Sequence, residues 1–174
     1  YKQKNYESAL PNWRKAYSLC PPTARYSMLS DGTTLIRNLI NQNAKNPVYR
    51  AKLVDSLMVI YDQRVEYWPK YAVSSLNNKA LDMYNYMKND LERLYAGLND
   101  VVAQTKEKTR ANIFLFQLNT AIDLFREGTV DAEKVIGIYE DGIKYLAMMT
   151  PKNDVEKRSI DKTIEDVESH FITS

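Results

Sequence analysis

Asn12-Trp13-Arg14-Lys15-Ala16-Tyr17-Ser18-Leu19, followed two residues later by Pro21, sets a pattern that recurs along the chain. An aromatic residue comes first, an apolar residue four later, another two after that, then a proline. The same order returns in Ile60-Tyr61-Asp62-Gln63-Arg64-Val65-Glu66-Tyr67-Trp68 before Pro69. It returns again in Ile138-Tyr139-Glu140-Asp141-Gly142-Ile143-Lys144-Tyr145-Leu146 before Pro151. Proline stops a helix because it lacks the N–H and its ring clashes with the preceding turn. Three helices with aromatic anchors and proline stops are therefore expected.

Each segment closes a longer amphipathic stripe at helical spacing. The stripes are Tyr6, Ala9, Leu10, Trp13, Ala16 and Tyr17; Val54, Leu57, Met58, Tyr61, Val65 and Trp68; and Val135, Ile138, Tyr139, Gly142, Ile143 and Leu146. Partner helices are expected over 24–41, 71–87 and 108–126, and a further one over 90–105, with Leu91, Leu94, Tyr95, Leu98, Val101 and Val102 on its inner face. The 108–126 segment is apolar on two sides: Ile113, Phe116 and Leu124 on one, Phe114, Leu118, Ile122 and Phe125 on the other. A helix of that kind is packed between neighbours. No segment shows strand alternation.

The boundaries carry capping chemistry. Asn46-Pro47 reads as an N-cap with proline at the first helical position. Gly128-Thr129-Val130-Asp131 reads as a stop, a turn and a new N-cap, and Asn89-Asp90 is a weaker turn. The closing helix, over 151–171, has a narrow stripe of Ile160, Ile164, Val167 and Phe171 on an otherwise polar surface. A wet outer face suits the terminal helix of a stack. The expected architecture is all-α: about eight helices in stacked antiparallel hairpins.

Composition fits a folded domain: 174 residues, 44% hydrophobic and 26% charged, with 5 Gly and 6 Pro that leave little room for long irregular loops. Thirteen tyrosines imply a core whose hydroxyls sit at boundaries where they find partners. The 24 basic and 22 acidic residues are interleaved, as in Glu156-Lys157-Arg158, which argues against a nucleic-acid surface. One cysteine, Cys20, excludes an intrachain disulfide. No apolar run reaches the roughly 18 residues of a membrane span. The sequence opens at Tyr1 inside a unit and without a polar cap. That reads as a trimmed start, so the missing targeting segment is uninformative and a lipid anchor upstream stays open.

Tyr6, Ala9, Trp13, Ala16 and Pro21, within the run beginning Tyr1-Lys2-Gln3-Lys4-Asn5, resemble the second half of a tetratricopeptide repeat, in which small residues let paired helices approach. Later units diverge. Arg64 stands in a small-residue slot that Gly142 restores, and 48 residues rather than 34 separate Trp13 from Tyr61. The resemblance implies a single helical-repeat domain over 1–174: a half repeat at 1–21, units at 22–69, 70–107 and 108–150, and a capping helix at 151–174. The stretch from Ala51 to Arg64 is similar to a segment of repeat proteins of Bacteroidetes. That likeness, over roughly residues 1–90, implies a periplasmic, envelope-associated or secreted protein, with the cytoplasm as the alternative.

Reactive constellations are not assembled by this sequence. His170 is the sole histidine and reads as a surface residue. Cys20 has no base near it in sequence, and no phosphate-binding glycine loop or calcium loop occurs. Glu140-Asp141 and Glu165-Asp166 point about 100° apart on a helix. The expectation is no enzyme, no cofactor and no metal. The resemblance implies instead a groove of polar inner-helix side chains that binds a protein or peptide: Arg37, Asn38 and Asn41, then Asn77 and Asn78, then Arg110, Asn112 and Gln117. Amides suit such a groove because they both donate to and accept from main chain. The runner-up is a structural module that positions other domains of a larger chain.

Overall fold

The computed structural model describes residues 5–174. The Tyr1-Lys2-Gln3-Lys4 opening of the half repeat lies outside the described residues. Among the described residues are eight α-helices and no strand. They are α1 (Tyr6–Leu19), α2 (Tyr26–Gln42), α3 (Pro47–Tyr67), α4 (Ala72–Tyr86), α5 (Leu91–Thr105), α6 (Ala111–Arg126), α7 (Ala132–Met148) and α8 (Asp154–Thr173). The three prolines act as stops: α1, α3 and α7 end before Pro21, Pro69 and Pro151. Asn46 caps α3 by accepting from the Tyr49 N–H at 3.1 Å, with Pro47 following. Asp131 does the same for α7 through the Lys134 N–H at 2.9 Å, and Gly128 supplies the turn at φ 78°. The start of α6 departs from expectation. Lys106–Lys108 form a single 3-10 turn, entered through Lys106 at φ 47°, so the helix begins at Ala111.

The chain divides into two compact units, up to Lys79 and from Ala80 onward, with the division inside α4. In the first unit, α2 and α3 bury Leu29, Ile36, Ile40, Leu53, Leu57, Ile60 and Tyr61 against each other. Each aliphatic side chain so enclosed stabilises by about 1.5–3 kcal/mol. Helix α1 lies on α2 through one close approach. The Trp13 indole rests on Gly32, where a Cβ would fall 2.7 Å from Trp13 Cε2, and its N–H donates to the Met28 carbonyl at 2.7 Å. No residue of α1 is fully buried, and its stripe is only half covered.

Arg64, in the expected small-residue slot, is 4% exposed. It donates to the Tyr26 hydroxyl at 2.6 Å and to the Thr33 hydroxyl at 3.4 Å, and lies over the Tyr26 and Tyr61 rings at 5.3 and 5.1 Å. Tyr26 also stacks on Tyr71 and meets Trp68 edge-on. A guanidinium is flat and weakly hydrated enough to lie among such rings. Its neighbour in sequence, Asp62, points the other way and pairs with Lys79 at 2.6 Å, as a spacing of two on a helix requires.

In the second unit, α6 packs against α5, α7 and α8. Ile113, Phe114, Leu118, Ala121, Ile122 and Leu124 are all buried, while Phe125, read as an inner residue, is exposed at the last turn. Gly142 of α7 faces Phe114 at ordinary contact distance. Helix α8 buries Ile160 and Val167, stacks Phe171 on Tyr139 at 4.0 Å, and carries the ion pairs Lys157–Asp161 and Lys162–Asp166 on its outer face.

Candidate functional site

Five of the eight groove residues lie in the first unit and three in the second. Arg37 and Asn38 are half-buried on α2, Arg37 donating to the Thr34 hydroxyl at 3.2 Å, and Asn41 is exposed in the last turn. Asn78 is half-buried on α4. Asn77 and Gln117 are packing residues rather than groove residues. Asn77 is 3% exposed, and its amide donates to the Val73 carbonyl at 2.9 Å. Gln117 is 7% exposed, and its amide donates to the Asn99 side chain at 2.8 Å, tying α6 to α5. Buried amide donors engaged in this way are not available to a ligand.

Arg110 and Asn112 are brought together. Both are exposed at the start of α6 and line a cleft of about 700 Å³ in the second unit. Across it stand Thr150 and Lys152 after α7 and Glu156 and Ser159 of α8. Arg110 is the N-cap of α6 and supplies no side-chain acceptor, while its carbonyl accepts from the Ile113 N–H at 3.0 Å. Behind the cleft Thr105 donates to the Val101 carbonyl at 2.8 Å. Its single hydroxyl proton is thereby committed, so Thr109 donates to Thr105 at 2.6 Å. These bonds hold the turn that carries Lys106. The Glu156 carboxylate is oriented by the Lys152 backbone N–H at 2.6 Å. The cleft therefore offers an amide and charges of both signs.

A second cleft, of about 300 Å³, lies in the first unit between α1, α2 and α3. Its walls are mainly apolar, with Trp13 and Tyr17 from α1, Ile36 and Leu39 from α2, and Leu53, Val59 and Ile60 from α3. The sequence marks these as core positions, and only the tertiary arrangement leaves space among them. A third hollow of about 470 Å³ in the second unit contains Tyr84, which stacks on Phe116 at 3.9 Å and carries Lys88 over its ring at 4.2 Å.

His170 and Cys20 are exposed. Among the described residues no three His, Cys, Asp or Glu side chains are placed to hold a metal ion, and no helix is long and apolar enough to cross a membrane. Asp131 titrates below its ordinary value, chiefly because its carboxylate accepts the Lys134 backbone N–H, with the Lys134 charge adding to the effect. That is the behaviour of a helix cap. Comparison of the chain with protein-family models, curated proteins and solved structures finds no match.

Proposed function

We propose that this chain is a non-catalytic helical scaffold that binds an extended segment of another protein. The observation that carries the reading is the cleft at the start of α6. Arg110 and Asn112 stand across it from Lys152, Glu156 and Ser159. Main chain in extended form presents carbonyls and N–H groups that helical ligands keep for themselves, and Asn112 can serve either. An acidic side chain at the helix start would meet the positive end of the α6 dipole and Arg110. The contact of α6 with both α7 and α8 supports a repeat-like stack, since each inner helix of such a stack touches its hairpin partner and the next inner helix. Placement in a bacterial envelope is supported by the resemblance of residues 1–90.

Selection of random peptides on the immobilised chain tests the proposal. Selected peptides should share an extended, acid-containing consensus and bind Asn112→Ala roughly tenfold more weakly, the size of one well-made hydrogen bond in a desolvated cleft. Peptides without a consensus, or with affinity indifferent to Asn112, would count against it.

A further inference from the structure

The apolar cleft of the first unit carries a separate proposal. Helix α1 presents an amphipathic face that the sequence marks for burial, yet none of its residues is fully buried. The face looks onto the 300 Å³ space whose far walls are Ile36, Leu53 and Ile60, with Val59 half exposed at its edge. That volume is at the lower end of small-molecule pockets, which are typically about 300–1,000 Å³.

The polar groups around the cleft decide what could enter. The Trp13 N–H donates to the Met28 carbonyl. The Tyr17 hydroxyl donates to the Gln63 side chain at 2.9 Å. The Ser56 hydroxyl donates to the Lys52 carbonyl at 3.0 Å. Among the described residues, the remaining side-chain donor in the lining is the guanidinium of Arg14, exposed on α1 beside Trp13. Among the described residues it is also the one charged group in that lining. A ligand matched to this arrangement has an apolar body, needs no donor from the walls, and carries a single anionic acceptor at one end.

We infer that the cleft between α1, α2 and α3 is a binding site for an amphiphilic monocarboxylate, such as a medium-chain fatty acid, with Arg14 receiving the carboxylate. Charge complementarity sets the orientation: the tail lies along Trp13, Ile36 and Leu53, and the head lies at the Arg14 rim. A carboxylate matches the fork of a guanidinium, and that charge-assisted pairing separates an acid from the corresponding alcohol.

Calorimetric titration with decanoate below its micellar concentration tests this, with Trp13 fluorescence as a second readout. One equivalent should bind saturably, and decanol should bind roughly tenfold more weakly. Arg14→Gln, a surface change that leaves the packing intact, should abolish the preference for acid over alcohol while retaining decanol binding. Ser56→Phe, which fills the cleft from its rim, should remove both. Non-saturable uptake, equal affinity for acid and alcohol, or undiminished decanoate binding by Arg14→Gln would overturn the proposal. So would dimerisation through this cleft, seen in sedimentation as a native chain that dimerises and a Ser56→Phe variant that stays monomeric.

Discussion

Replacing Gly32 with alanine isolates how α1 is held. In an exposed helix interior the change would stabilise by about 1 kcal/mol through propensity. Here the added methyl clashes with the Trp13 indole, 2.7 Å from Cε2 and 3.0 Å from Nε1. Forcing a methyl into a packed contact costs about 1–3 kcal/mol. Displacing the indole also loosens its bond to the Met28 carbonyl, worth about 1 kcal/mol. Set against the propensity gain, the net loss is about 1–3 kcal/mol. Urea unfolding followed by tryptophan fluorescence measures it, and hydrogen exchange should localise the loss to α1. The same substitution made in Trp13→Ala should reverse sign and stabilise by about 1 kcal/mol, because the obstructing ring is gone. A Gly32→Ala protein as stable as the original, or a double variant with no reversal, would refute the account.

Gly142→Ala should have the opposite effect, stabilising by about 0.5–1 kcal/mol in thermal unfolding, because a Cβ there meets Phe114 at 3.7 Å. Arg64→Met should be neutral or stabilising in urea titrations, since an apolar chain of similar size avoids burying a charge. Tyr26→Phe, which leaves that charge with one hydroxyl fewer, should cost about 1–3 kcal/mol. Lys106→Gly should raise stability by about 1 kcal/mol by relieving a positive φ, with hydrogen exchange in the turn before α6 as the local readout. For Asp131 the folded-state value is depressed, so its contribution is present above the ordinary carboxylate range and is lost as pH falls through the lowered value. Asp131→Asn keeps the cap acceptor and should flatten that part of the acid dependence of α7 exchange.

The helices were legible because periodicity and capping agreed. Asn46-Pro47, Gly128 and Asp131 each act at the position their chemistry indicates. The start of α6 was not legible, because a lysine at positive φ carries no sequence signal. Gln117 could have been recognised as a packing residue: it lies three after Phe114 and four before Ala121, on a buried line of the helix. Arg64 shares a face with Tyr61 and Trp68, so its burial was readable. Its partner Tyr26, 38 residues earlier, was not. Of the candidate site, Arg110 and Asn112 are legible from their position on an expected inner helix. Lys152, Glu156 and Ser159 join them only through the packing of α8 on α6, and Arg14 stands out only because the other donors around its cleft are bonded within the fold.

Both tryptophans, Trp13 and Trp68, belong to the first compact unit. Each indole N–H is tied to a backbone carbonyl there, Trp13 to Met28 and Trp68 to Pro22. Indole emission therefore observes the melting of one half of the molecule and is blind to the other, whereas far-ultraviolet dichroism weighs all eight helices. Recording both signals in one titration turns the native sequence into its own reporter of cooperativity: coincident curves mean a single transition, and separated curves date the loss of the two halves independently.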